Sequence, residues 1–224
     1  MLIILLFLIF LLLFLCNNEN FTNTNEWIIL LTMCVEPNQQ DRNINEDIKD
    51  VIAYRKKLYT DVINRWLDNT KYLIYVVESS GYKFDDIKNN RLTVFSFKGD
   101  SERNSSIAEA KSILYALEQL KKYSNNYTHI LKVTGKYYLY GIENILYFLP
   151  DDYDIYIQQH NNIRHQNTEY YGIKKELFFE FANTCTTTME HHLYNFMQNK
   201  KIMQIPATFS NNVKRACGDI ITNL

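Results

Sequence analysis

Short apolar runs alternate with longer amphipathic segments along the chain after residue 26. The apolar runs are rich in β-branched and aromatic residues, which is typical of buried strands. Strands are predicted at 27–37, 71–81, 91–97, 128–135 and 154–159. Apolar residues recur at helical spacing in the intervening segments. Helices are predicted at 45–68 and 105–123, with later helices within 174–185 and 188–198.

This order of strands and helices predicts an α/β fold with a mostly parallel central sheet that is flanked by helices. The sequence after residue 26 contains no repeat and no linker rich in Pro, Gly or Ser, so we predict a single domain over 27–224. In sheets of this kind, ligands bind beyond the carboxyl ends of the strands. Four strand ends here are polar or charged: 32–38, 76–82, 95–106 and 132–138.

The amino-terminal segment differs from the rest of the chain. Residues 1–16 are apolar and uncharged, and residues 17–26 form a polar linker. We expect 1–16 to be a single-pass membrane anchor, short for an average bilayer but tolerable in a thin one. A cleaved signal peptide is the alternative, although basic residues and a small-residue cleavage site are both missing. The following Glu19 and Glu26 favour a luminal or extracytoplasmic domain.

Composition narrows the classes of function. The chain has 224 residues, a formal net charge of −1 and no basic block, so nucleic-acid binding has little support. The sequence contains neither a dinucleotide-binding glycine fingerprint nor a phosphate-binding P-loop. It also lacks the nucleophile elbow of hydrolases and the paired Cys or His motifs of zinc sites.

The stretch 131–139, LKVTGKYYL, ends the fourth predicted strand with two cations. On a strand, Lys132 and Thr134 point to the same face, and Gly135 permits a tight turn towards Lys136. Two ammonium groups at this point could neutralise a phosphate or a leaving diphosphate without a metal. The alternative is an ordinary strand end with solvated lysines.

Several of these motifs together resemble the small glycosyltransferases of the type-A fold, over about residues 27–218. The resemblance is carried by Arg55, Tyr59 and Trp66, by VVESSGY at 76–82, by SIAEAKSILYAL at 106–117, and by LKVTGKYYL. It extends to sugar-transferase-like proteins of large viruses and of capsule or lipopolysaccharide loci, which share K-x-T-G-R/K-Y. It implies a nucleotide-sugar donor and a glycan or glycoprotein acceptor.

The resemblance also implies which residues form the site. The implied donor-binding residues are Thr32, Glu36, Arg55, Glu78, Ser79, Asn104, Glu109, Thr134, Gly135 and Tyr137. Many type-A transferases hold a divalent metal with a D-x-D motif after the fourth strand. Here Lys132 to Lys136 occupy that place, so the metal requirement stays open and no metal ligand is assigned. The acidic stretch 151–154 precedes its strand and is expected to be a solvated turn rather than a displaced metal motif.

The resemblance places an acidic catalytic group at the start of a late helix, where Glu190 stands. A partly buried carboxylate there could deprotonate an acceptor hydroxyl as it attacks the anomeric carbon. Together with Lys132 and Lys136, it forms the expected catalytic set; an ordinary helix-start glutamate is the alternative. The sequence therefore predicts a membrane-anchored glycosyltransferase, and a non-catalytic binding or assembly module of the same fold is the competing interpretation.

Overall fold

The computed structural model describes residues 27–37, 47–99, 104–123, 126–158, 166–205 and 208–209. The strands are β1 Trp27–Met33, β2 Leu73–Glu78, β3 Leu92–Ser96, β4 His129–Thr134, β5 Leu139–Tyr140, β6 Ile155–Gln158, β7 Tyr170–Lys174, β8 Ile202–Ile205 and β9 Thr208–Phe209. Seven of them form a mixed sheet with helices on both faces, in the strand order β3-β2-β1-β4-β7-β6-β8, and β5 pairs with β9 in a separate two-stranded sheet.

Helices connect the strands. They are α1 Ile48–Asn69, α2 Ser105–Leu120, α3 Ile142–Phe148, α4 Lys175–Asn183 and α5 Met189–Phe196, followed by a 3₁₀ turn at Met197–Asn199. One face of the sheet packs against α1 and α3, and the other packs against α2, α4 and α5. The α1 side chains Val62, Ile63 and Trp66 are almost fully buried, as the helical spacing predicts.

The strands β3, β2, β1 and β4 run parallel, and β1 lies at their centre. All seven β1 residues are buried because helices cover both faces of the sheet. The antiparallel strand β7 lies between β4 and β6. Gly172 of β7 leaves no room for a side chain, since an added Cβ would lie 2.8 Å from the Trp27 ring.

The structure confirms a mixed α/β domain with a central sheet, and it adds elements that the pattern did not predict. The added elements are β5, α3, β7, β8 and β9. β7 continues directly into α4 and is buried on both faces, so it shows no alternation that would mark a strand. Asn104 caps α2: its side chain accepts from the N–H groups of Ser106 and Ile107.

The predicted membrane segment 1–16 and the linker 17–26 lie outside the described residues. Among the helices within the described ranges, none is long and apolar enough to cross a bilayer.

Candidate functional site

A fully buried lysine lies near the carboxyl end of β4. The side chain of Lys132 is 0% exposed. Its Nζ lies 2.6 Å from Glu109 Oε1, and it donates to the Thr168 carbonyl at 2.9 Å and to Thr134 Oγ1 at 3.1 Å. An ammonium group has three hydrogen atoms to donate, and each has an acceptor here. Lys132 therefore holds three segments of the chain together at this edge of the sheet.

Glu109 joins this lysine to the central strand. The residue lies in α2, one turn after the Asn104 cap, and its side chain is 22% exposed. The same Oε1 that contacts Lys132 accepts from Thr32 Oγ1 at 2.8 Å. Because Thr32 lies near the end of β1, the carboxylate connects β1, α2 and β4. Of the residues that the resemblance implies, Thr32, Glu109 and Thr134 thus meet around Lys132.

A second carboxylate adjoins this cluster through one threonine. The Thr168 hydroxyl donates to Glu190 Oε1 at 3.1 Å, while the carbonyl of the same residue accepts from Lys132. Glu190 is half-buried in the first turn of α5. We call these residues, Thr32, Glu109, Lys132, Thr134, Thr168 and Glu190, the lysine cluster. Within this cluster, Thr168 connects Glu190, the expected base, to Lys132, one of the two expected cations.

Tyr171 is fully buried beside the lysine cluster. Its ring centroid lies 5.3 Å from Lys132 Nζ, and its hydroxyl contacts Met189 Sδ at 3.9 Å. Burial raises the pKa of the Tyr171 hydroxyl well above its usual range, and the carboxylates of Glu109 and Glu190 raise it further. The Tyr171 hydroxyl therefore stays protonated and uncharged at neutral pH.

The turn after β4 brings its own backbone close to the backbone at the end of β1. Gly135 N–H donates to the Thr32 carbonyl at 2.9 Å, and an added Cβ would lie 2.2 Å from Met33 Cγ and 2.8 Å from that carbonyl oxygen. Glycine is therefore required by space at this position. The next residue, Lys136, is half-buried, with Nζ 5.3 Å from the centroid of the Tyr137 ring. The turn thus presents Lys136 beyond the strand, while Lys132 remains beneath it.

Glu78, at the end of β2, is a second buried charge at the same edge. Its Oε1 accepts from Val35 N–H at 2.9 Å and from the Ser80 hydroxyl at 2.5 Å. Its Oε2 accepts from Ser80 N–H at 3.0 Å and Tyr82 N–H at 2.7 Å. The carboxylate thus fixes the turns that follow β1 and β2. Its expected contact with a nucleotide stays a prediction.

The remaining expected residues are spread around these turns. Arg55 Nη1 donates to the Cys34 carbonyl at 3.0 Å, so it ties α1 to the end of β1. Ser79 N–H donates to the Met33 carbonyl at 3.1 Å. Glu36 is exposed at the same edge. Tyr137 is different: its ring is buried on the α1 face and its carbonyl accepts from Trp66 Nε1, so it lies in the core beneath the turn.

The donor set of the site does not resemble a metal centre. Within the described ranges, no group of three His, Cys, Asp or Glu side chains could hold a metal ion. The one carboxylate oxygen of Glu109 that faces the cluster is engaged by Lys132 and Thr32. In the acidic stretch 151–154, Asp152 pairs with Lys201, and Asp154 accepts from Lys201 N–H and Lys174.

Sequence reasoning missed Thr168 and Tyr171. Thr168 lies just before β7, and Tyr171 is the second residue of that strand. The hydrophobic pattern of the sequence does not reveal β7. The register of β7 places Tyr171 directly opposite Lys132. The sequence signal for this strand is the β-prone pair Tyr170 and Tyr171, which is followed by a glycine and lies a few residues before α4.

No protein-family model matches the chain, and no curated protein matches it. The narrower resemblance to proteins of large viruses and of capsule or lipopolysaccharide loci therefore has no sequence-level match. Similar solved structures exist at low identity. One is a Desulfovibrio desulfuricans G20 protein assigned as a nucleotide-diphospho-sugar transferase, with 10% identity and a TM-score of 0.49, over 81% of this chain and 80% of that one.

A second similar structure is a cytidylyltransferase from Leptospira borgpetersenii, with 12% identity and a TM-score of 0.47, over 81% of this chain and 76% of that one. A third is the 4-diphosphocytidyl-2C-methyl-D-erythritol synthase of Anaerococcus prevotii, with 11% identity and a TM-score of 0.38, over 81% of this chain and 89% of that one. Scores below 0.5 assign neither a substrate nor a reaction to this chain.

Proposed function

We propose that this chain is a glycosyltransferase that moves a sugar from a nucleotide-sugar donor to a hydroxyl group of a glycan or glycoprotein. The observation that carries the proposal is the lysine cluster at the carboxyl edge of the parallel strands. A lysine is almost never fully buried unless it is paired, and here the paired ammonium is also linked through Thr168 to a half-buried carboxylate. This group of charges lies at the edge of the sheet where ligands bind in α/β folds.

In this proposal, the two lysines have different roles. Lys136 lies beyond the strand end and provides the direct contact with the donor phosphates, where negative charge develops as the nucleotide leaves. Lys132 acts from beneath: its charge is paired with Glu109, and its hydrogen bonds position Thr134 and the 168 segment. An ammonium group that is already placed requires no reorganisation during the reaction.

Glu190 is the proposed general base. One of its oxygens accepts from the Thr168 hydroxyl at 3.1 Å, which restricts the orientation of the carboxylate. The residue is half-buried at the start of α5, so an acceptor hydroxyl can reach it from solvent. Removing the proton as the oxygen attacks the anomeric carbon gives the glycosidic bond, and the nucleotide leaves with the electron pair of the broken bond.

The test compares Glu190→Gln with His191→Asn, its exposed neighbour in α5. A glutamine can still accept from Thr168 but cannot accept the acceptor's proton. General-base catalysis contributes about 10²- to 10⁴-fold, so the transfer rate should fall on that scale while donor affinity stays within about twofold. The His191 variant should retain the rate.

A Glu190 variant with full activity would remove Glu190 from the reaction. Loss confined to the His191 variant would assign the base to that histidine. If the wild-type chain binds nucleotide sugars saturably but transfers none to any glycan in a broad acceptor panel, the chain is the non-catalytic binding module.

A further inference from the structure

The amino ends of the parallel strands form the edge opposite to the lysine cluster, and exposed aromatic side chains surround it. We call this surface the amino edge and define it by four aromatic residues on both faces of the sheet. They are Tyr123, Tyr147, Phe148 and Phe179. Phe148 is 77% exposed, which is unusual for a phenylalanine of a folded domain.

Contacts with the start of β2 place two of these residues at the amino edge. Lys71, two residues before β2, lies 3.9 Å from the Glu143 carboxylate and 5.7 Å from the centroid of the Tyr147 ring. The Tyr147 and Phe148 rings pack edge to face with their centroids 5.0 Å apart. The end of α3 therefore displays an aromatic pair beside the segment that leads into β2.

The other two residues lie on the opposite face of the sheet. Phe179 belongs to α4, which begins immediately after β7 ends at the amino edge, and Lys121 Nζ lies 4.9 Å from its ring centroid. Lys121 is the C-cap of α2, and Tyr123 follows it before the chain enters β4. Exposed rings thus occur on both sides of the layer formed by the sheet.

The charges of the amino edge are largely balanced. Four of its lysines pair with carboxylates, and the pairs are Lys71–Glu143, Lys121–Glu118, Lys174–Asp154 and Lys201–Asp152. Lysine stems and aromatic rings with neutralised charges suit a zwitterionic surface better than an anionic partner.

The sequence indicates what this edge faces. β1 begins at Trp27 in the middle of the amino edge, and the apolar segment 1–16 precedes it by only ten residues. Ten residues reach at most about 35 Å. If 1–16 lies in a bilayer, the amino edge is held within about 35 Å of the membrane surface. Tyr, Phe and Lys side chains are characteristic of surfaces at the lipid–water interface.

We propose that residues 1–16 anchor the chain in a membrane and that the amino edge docks on the phospholipid surface of that membrane, with Tyr147 and Phe148 at the headgroup level. The orientation has a consequence for the site. β1 has seven residues, so the lysine cluster lies roughly 20 Å further from the bilayer. The site then faces away from the lipid, towards acceptors that extend from the membrane or are soluble.

The test uses the full chain reconstituted in vesicles of zwitterionic phosphatidylcholine, with and without bromine on the acyl chains. The probe variant is Phe148→Trp. The matched control is Tyr54→Trp, because Tyr54 is 62% exposed and lies in the second turn of α1, near the carboxyl edge. The native Trp27 and Trp66 are buried and contribute the same background to both variants.

We expect brominated lipid to quench the added fluorescence of Phe148→Trp at least about twofold more than that of Tyr54→Trp. Raising the salt from about 0.05 to 0.5 M should leave this difference unchanged, since balanced charges give little to screen. Equal quenching of the two variants, or failure of the chain to float with the vesicles, would overturn the proposal. So would Phe148→Trp emission that changes on dilution in detergent but not with lipid bromination, because a second copy would then cover the edge.

Discussion

Two buried charges lie at the carboxyl edge of the sheet, and the protein satisfies them in different ways. Glu78 accepts from three backbone N–H groups and one hydroxyl, all within the turns that follow β1 and β2. Lys132 donates to one carbonyl and two side chains, from segments that are far apart in the sequence. A charge bonded to backbone N–H groups determines the path of the chain, whereas a charge bonded to side chains determines where those side chains lie.

Under the proposed function, this difference separates the residues that shape the turns from the residues that act in transfer. Both oxygens of Glu78 are used in building loops. The lysine cluster extends through Thr168 to Glu190, whose carboxylate is half-buried. We therefore expect replacements at Glu78 to act through the shape of the turns, and replacements in the lysine cluster to act on both stability and transfer.

The largest expected effect on stability follows Lys132→Met, which leaves Glu109 as a part-buried carboxylate without its cation. Breaking a buried ion pair costs about 3–5 kcal/mol of the free energy of unfolding. Chemical denaturation monitored by fluorescence measures this loss. The double variant Lys132→Met/Glu109→Gln should recover part of it, because no unpaired charge remains. A loss in the single variant below about 1 kcal/mol would show that the pair is not buried in solution.

Glu78→Gln is expected to have a smaller effect, because the side chain keeps its shape and one acceptor oxygen. The amide nitrogen that replaces the other oxygen cannot accept, so at least one N–H of the turns loses its partner. Hydrogen bonds to charged groups contribute about 1.5–3 kcal/mol, and we expect a loss in this range. Hydrogen exchange should increase at Val35, Ser80 and Tyr82 but not at Thr134, whose N–H donates to the Glu169 carbonyl at 2.8 Å. Faster exchange at Thr134 as well would mean that the two buried charges are not independent.

The smallest effect is a pH dependence that sets the conditions for comparing the two variants. Burial lowers the pKa of His129 below 6.5, where its ring stacks on Trp27 with centroids 4.7 Å apart. The unfolded chain therefore binds a proton at a pH where the folded chain does not. Stability is fully present above pH 6.5 and falls as the pH decreases towards the folded pKa.

Denaturation of the wild type and of His129→Phe at pH 7.5 and 5.5 measures this dependence. The variant should lose less stability on acidification than the wild type. Equal losses would assign the pH dependence to other groups. Stabilities of the Lys132 and Glu78 variants should then be compared at pH 7.5, where the histidine is neutral.

The sequence predicted the parallel half of the fold better than the antiparallel half. Long apolar runs mark β1, β2 and β4, because these strands are buried on both faces of the sheet. Helical spacing of apolar residues marks α1 and α2, because each helix buries one face. The short strands β7 and β8 and the helix α3 have little periodicity to detect. The positions of β7 and β8 depend on pairing with distant strands rather than on the local sequence pattern. Tyr171 of β7, for example, lies opposite Lys132 of β4.

The same reason limits what could be predicted of the site. The shared face of Lys132 and Thr134 follows from strand geometry, and the two side chains are in contact. The partners of Lys132 do not follow from local sequence, because Glu109 and Thr168 are 23 and 36 residues away. A lysine at a strand end looks solvated until those partners are known. Its complete burial is therefore a result of tertiary structure alone.

The most direct test of the central claim is a calorimetric titration of the full chain in detergent with nucleoside diphosphates and their sugar conjugates. The variants are Lys136→Ala and, as a matched control at the amino edge, Lys71→Ala. We expect saturable binding of at least one ligand, weakened about ten- to hundredfold by Lys136→Ala, because a charge-assisted contact with phosphate is lost. Lys71→Ala should leave the affinity unchanged. Absence of saturable binding, or equal weakening in both variants, would contradict a donor site at the carboxyl edge.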